Sequence, residues 1–226
     1  MRMHEFGSRL HPSILLLHGA GSDHTMWQPQ IEQLSPRYHL LVPDLPGAGQ
    51  SPGPFVLEAV SAAIGDQLRR TGIERVHACG LSLGAMVGLH LAATQRDLVA
   101  SLVLSGVQLR PPPVLMMVQI GIMRLTPWKL LGAEDAAEKR QVMDLIRAAH
   151  RVDLRVASTQ VKAPTLVLCG AKDRASLRAA RRAATTIPHA TFTVVPGAGH
   201  QWNGQFPEVF NDALGTFVER QLLKPD

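Results

Sequence analysis

The sequence predicts an α/β fold, a single domain built on a mostly parallel central sheet with helices on both faces. Three observations predict it. Short apolar runs of strand length alternate with longer segments of helical period from end to end, and turn residues bound the runs. The 226 residues are 46% hydrophobic and 18% charged, enough apolar material for one large core, and no stretch has a linker's composition.

The strand-length runs are Ser13–Leu17, His39–Val42, Arg75–Cys79, Ala100–Leu104, Thr165–Cys169 and Thr191–Val195. Between and after them, helical periodicity is expected near 27–34, 56–71, 83–95, 174–186 and 207–223. Glycine (19) and proline (16) recur at short intervals, which suits many brief connections. One region breaks the rhythm. From Gln108 to Lys162 there is no strand signal, only Pro111-Pro-Pro113, a Met-rich apolar stretch, and a charged helical pattern from Glu134 to Arg155. The expectation is one domain over 1–226 with 108–162 as a helical cap over the sheet; the alternative is that these helices pack as ordinary core.

Composition narrows the function classes. A formal net charge of +5 could suit a nucleic acid, but the arginines are scattered and aromatics are 4% of residues, so no stacking platform is evident. Arg174, Arg178, Arg181 and Arg182 have the spacing of a solvated helix face. The first residues lack the apolar run of a signal peptide. The longest apolar stretch, Val114 to Met123, is interrupted by Gln119 and followed by Arg124, short of the roughly 20 residues of a membrane span. A cytoplasmic location, a small-molecule substrate and no nucleic-acid partner are expected.

In a parallel sheet the site lies at the carboxyl ends of the strands, so the residues after each run carry most information. The third run is followed by Gly80-Leu-Ser-Leu-Gly84 and then by a helical segment. G-x-S-x-G between strand and helix is a nucleophile elbow, and a side chain at either glycine would collide in so tight a turn. Ser82 needs a base to remove its proton. His200 closes Pro196-Gly-Ala-Gly-His200 directly after the last strand; His18 reads as a loop brace, His90 as structural and His24 as a pocket residue. The histidine needs a carboxylate to fix its tautomer. Asp173, in Gly170-Ala-Lys-Asp173, stands at a strand end, and Ser105 to Arg110 contains no acid. Asp44 and Asp23 are weaker competitors, Asp44 being better read as a turn stabiliser. An acyl-transfer intermediate also needs N–H donors for its oxyanion. The backbones of Leu83 and, in the loop His18-Gly-Ala-Gly-Ser22, Ala20 are expected to supply them. That loop lacks the third glycine of a dinucleotide fingerprint and the lysine of a P-loop.

Taken together, His18-Gly19, Asp44-Leu-Pro-Gly-Ala-Gly-Gln-Ser51, the elbow at Ser82, Gly170-Ala-Lys-Asp173 and Gly197-Ala-Gly-His200 resemble the α/β-hydrolase superfamily over nearly the whole chain. The resemblance implies strand order 2-4-3-5-6-7-8, the first run being the family's third strand, with a cap after the sixth. The family's first two strands must be shortened or reduced to one, since only about a dozen residues precede the first run. In that order one strand separates Cys79 from Cys169, at about 4.8 Å per strand too far for a disulfide. The brevity is similar to small bacterial carboxylesterases, and the loop from His18 to Trp27 is similar to that of small-molecule-sensing hydrolases.

The expected activity is hydrolysis of a carboxylic ester through an acyl-serine, with Met116, Met117, Ile120, Met123 and Trp128 as an apolar wall. No metal or cofactor motif is visible, and this chemistry requires none. Dehalogenation is disfavoured, because the related branch uses aspartate where this chain has Ser82. Carbon–carbon bond hydrolysis, lyase chemistry, acyl transfer or a slow-turnover small-molecule sensor remain alternatives on the same residues.

Overall fold

The computed structural model describes residues 1–49, 51, 53–111, 120–128 and 135–223. Among the described residues seven strands form one sheet: β1 (Met3–Phe6), β2 (Ser13–Leu17), β3 (His39–Pro43), β4 (Val76–Leu81), β5 (Val99–Ser105), β6 (Thr165–Gly170) and β7 (Ala190–Val195). Their spatial order is β1-β3-β2-β4-β5-β6-β7. Only β1 runs antiparallel, pairing Met3 with Pro43 and Phe6 with Leu40. The expected order is therefore present, with the two leading family strands reduced to β1. That strand escaped the sequence reading because it is a short edge carrying His4 and Glu5, without a run of buried positions.

The helices are α1 (Gln28–Leu34), α2 (Leu57–Arg70), α3 (Leu83–Thr94), α4 (Ala136–His150), α5 (Arg155–Gln160), α6 (Arg174–Thr186), α7 (Trp202–Gln205) and α8 (Pro207–Leu222), with a 3-10 turn at His24–Trp27. Alternation along each strand sorts the core into two layers. Leu15, Leu17, Ala78, Leu102, Leu104 and Val167 face α2, α3 and α6, packing on Ile64, Met86, Leu89 and Ala180. Ile14, Leu16, Leu40, Cys79, Val103 and Leu168 face the other way onto Trp27, Ile31, Trp202, Phe210 and Leu214. A sheet buried on both faces leaves its strand ends as the open edge, and the loops after β2, β4, β5, β6 and β7 gather at the carboxyl one.

Within 108–162 the described residues form no strand; 120–125 are helical, followed by α4 and α5. Leu145, Ala149, Leu154 and Val161 of this stretch join the core layer that contains α3. Cys79 and Cys169 are free and buried, with β5 between their strands. The four arginines of α6 are exposed, Arg181 lying over the Phe192 ring at 5.9 Å. Among the described residues no helix is long and apolar enough to cross a membrane.

β4 also buries His77, whose Nδ1 lies 2.8 Å from Ser101 Oγ across the pair with β5. Burial, with the nearby Arg75 charge, pushes this imidazole from 6.5 down to about 4. An unfolded chain then binds a proton that the native one refuses, so the contribution is complete above pH 6.5 and is lost as pH falls towards 4. In equilibrium unfolding, His77→Gln should flatten the acid loss of stability over this interval by up to about 3 kcal/mol. Parallel pH curves for the two proteins would contradict it.

Candidate active site

The site begins where β4 gives way to α3. All six residues of β4 are buried, and α3 is buried around most of its circumference, so strand and helix must cross closely. A Cβ on Gly80 would lie 2.3 Å from the Gly84 carbonyl, and one on Gly84 would lie 2.0 Å from the Leu17 carbonyl oxygen on β2. Between them Ser82 is held at φ 56° and ψ −110°, in a region that costs a residue with a Cβ about 1–3 kcal/mol. Its N–H donates to Ser105 O at the end of β5 (2.9 Å), which fixes the turn against the neighbouring strand.

Asp173 and His200 follow the ends of β6 and β7. Asp173 caps α6, its Oδ1 accepting from the Ser176 N–H at 3.2 Å. Its Oδ2 accepts from His200 Nδ1 at 2.6 Å, so the other ring nitrogen, Nε2, carries the lone pair. Lys172 N–H donates to Ala198 O (2.9 Å), and a Cβ on Gly170 would meet Gly199 O at 2.2 Å, so the two loops lie against one another. Burial alone would raise the Asp173 pKa, but the hydrogen bond and charge of His200, with the Ser176 donors, hold it below the usual carboxylate value. Gly106, at φ +62°, presents its backbone to this pair; a Cβ there would lie 3.0 Å from His200 Cε1.

Ser82, Asp173 and His200 line one cavity of about 420 Å³, together with Ala20, Leu83, Met86, Gly106, Gln108, Pro111, Ile146, Ala149, Ala175, Ser176 and Gln201. Leu83 opens α3, where a first-turn N–H has no intrahelical acceptor, and Ala20 lies on the loop after β2. His18 braces that loop. Its Nδ1 donates to Gly19 O (2.8 Å) and its Nε2 accepts from Leu45 N–H (2.9 Å), an arrangement that requires the neutral ring; burial lowers its pKa in the same sense. His90 likewise ties α3 to α2 through Ser61 Oγ, at 3.0 Å.

Other expected pocket residues lie elsewhere. His24 does not line this cavity. Its backbone N–H and Nδ1 bind the buried Asp44 carboxylate (2.9 and 2.8 Å), which draws the ring away; the same carboxylate accepts from His4 Nε2 at 3.2 Å. Met123 and Trp128 are half-buried but are not in the lining either, and Met116 and Met117 lie outside the described residues. Among the described residues the apolar part of the lining includes Met86, Pro111, Ile146 and Ala149. Met86 was within reach of sequence reading, one helical turn after Ser82. Ile146 and Ala149 share a face of α4, but nothing local says which way that face turns.

Among the described residues, His4, His24 and Asp44 form a group that could hold a metal, their ligand atoms all lying within 4.8 Å of one another. The two rings stack at 3.7 Å with planes 14° apart, so their in-plane lone pairs cannot converge on one ion unless a ring leaves the stack. As arranged they are a clamp joining β1, the 3-10 turn and the loop after β3. A larger, polar cavity of about 650 Å³ lies between the 21–26 loop, residues 47–49 and α4, but it contains none of Ser82, Asp173 and His200.

The close crossing makes a direct prediction. Gly84→Ala should cost about 3 kcal/mol or more in denaturant unfolding, whereas Gly204→Ala, which meets nothing within 4 Å, should stay within about 0.5 kcal/mol of the unaltered protein. Equal stabilities would refute the close approach of α3 to the end of β2.

Residues 14–213 match the model of a family described as the alpha/beta hydrolase family. A putative carbamate hydrolase RutD from Caulobacter sp. (strain K31) is 27% identical, with 91% of this chain and 90% of that protein covered. A pimeloyl-[acyl-carrier protein] methyl ester esterase from Vibrio vulnificus (strain YJ016) is 39% identical over a shorter stretch, 41% of this chain and 35% of that protein. Among solved structures, the enol-lactonase from Burkholderia xenovorans LB400 shares the fold with a TM-score of 0.86 at 24% identity, covering 96% of each chain. With its sheet order, its elbow at Ser82 and a family match over most of its length, the chain belongs to the alpha/beta hydrolase family of enzymes.

Proposed function

We propose that the protein is a serine hydrolase that cleaves a carboxylic ester of a small, partly hydrophobic substrate through an acyl-serine intermediate. The observation that carries the reading is the 2.6 Å bond from His200 to the buried Asp173, at the wall of the cavity that Ser82 also lines. The named relatives support hydrolysis, one being described as a putative carbamate hydrolase and the other as a methyl ester esterase.

Ser82 Oγ attacks the ester carbonyl as His200 Nε2 takes its proton. Asp173 remains a carboxylate throughout; it holds the ring in the required tautomer and stabilises the imidazolium that forms. The backbone N–H groups of Ala20 and Leu83 receive the oxyanion. His200 then returns the proton to the departing alcohol, and a water, deprotonated by the same ring, releases the acid and restores Ser82. No step draws on a metal or an organic cofactor. Residues 108–162 act as a cap, with Ile146 and Ala149 of α4 forming the apolar side of the pocket and Gln108 and Gln201 offering neutral hydrogen-bonding groups. We place the enzyme in the cytoplasm.

The test is hydrolysis of p-nitrophenyl acetate, butyrate and octanoate. The protein should turn these over with preference for the shorter acyl chains, and Ser82→Ala should lose at least about 1,000-fold in kcat. Turnover that survives in Ser82→Ala would sink the mechanism. Absence of turnover with all three esters would sink the substrate class and favour carbon–carbon cleavage, acyl transfer or sensing.

A further inference from the structure

Asp173 holds the His200 ring through Nδ1. The His200 side chain is 39% exposed, and it sits on the loop after β7 while Ser82 sits after β4, three strands away in the sheet. Something must set the distance between them. Trp202, two residues beyond His200, is fully buried at the start of α7, and its Nε1–H donates to Ser105 Oγ at 2.9 Å. Ser105, also fully buried, uses its carbonyl oxygen to accept the Ser82 N–H at 2.9 Å. One residue of β5 therefore holds the nucleophile turn by its backbone and the histidine loop by its side chain. The following residue, Gly106, is the one packed against the His200 ring.

We infer that Trp202 is a positioning residue, whose hydrogen bond to Ser105 sets His200 in register with Ser82. The inference rests on the serine-hydrolase reading above. Its indole is also wedged against Phe210 of α8, with ring centroids 4.7 Å apart, so the loop is anchored to the apolar layer while the N–H points back to the site. Packing alone would be served by an aromatic ring without a donor. The donor is what connects the loop to the residue that holds Ser82. A proton transfer between Ser82 and His200 depends steeply on their separation, and misplacement by about 1 Å can cost up to about 100-fold.

Trp202→Phe keeps most of the ring and removes the donor; Ser105→Ala removes the acceptor from the other side and serves if the first variant folds poorly. For either folded variant, measured well below its unfolding temperature, kcat should fall about 10-fold or more while KM changes little, and labelling of Ser82 by a fluorophosphonate should slow in parallel. The double variant should be no slower than the worse single one, because both remove the same bond. The downfield proton resonance of His200 Nδ1–H, which needs no substrate, should broaden or shift. A merely structural role would lower the unfolding temperature and leave kcat, labelling rate and resonance unchanged, and that result overturns the inference. Failure of the unaltered protein to turn over any ester would instead count against the hydrolase reading, with the resonance still deciding whether the clamp exists.

Discussion

The crossing of β4 and α3 at a separation that only glycine permits is the constraint on which the rest of the site depends. Gly80 and Gly84 are each within 2.3 Å, by a hypothetical Cβ, of a neighbouring backbone carbonyl. That closeness leaves one residue to reverse the chain, and Ser82 takes the strained conformation. The strain is sustained because the parallel sheet is buried on both faces, so neither strand nor helix can retreat. A side chain in this position stands clear of the sheet at the edge where the other functional loops arrive.

The second partner in the site follows from where the remaining strands end. β6 and β7 are adjacent, so the residues after them, Asp173 and His200, meet without any long excursion of chain. Burial of Asp173 works against its charge, and the donors around it work the other way. The Ser176 N–H at the start of α6 and the His200 ring prevail, leaving a carboxylate that can only accept and so dictates which nitrogen of His200 holds the proton. β5, lying between the nucleophile and this pair, is in contact with both through Ser105 and Gly106.

Much of this was legible in the sequence, for identifiable reasons. Glycines around Ser82, a carboxylate and a histidine at strand ends, and short apolar runs of strand length are local signals, and in the structure Ser82, Asp173 and His200 line one cavity. What was illegible depended on long-range geometry. β1 has too few buried positions to announce itself, and its strand character arises only from pairing with β3. His24 stands next to the loop that lines the cavity, yet its direction is decided by Asp44, 20 residues away in sequence, and by His4. Ile146 and Ala149 of α4 line the cavity, and helical periodicity identifies their shared face without saying what it faces. Nothing local in the sequence marks Trp202, which is distinguished by its hydrogen bond to Ser105, 97 residues away.

The central claim is that Ser82 is made nucleophilic by a histidine whose tautomer Asp173 dictates. The most direct measurement is the rate of adduct formation with a fluorophosphonate, followed by intact mass and peptide mapping, in the unaltered protein and in Asp173→Asn. The account predicts a single adduct on Ser82, formed about 1,000-fold or more slowly in the asparagine variant because the amide supports the wrong tautomer. An adduct on another residue, or equal rates in the two proteins, would contradict it.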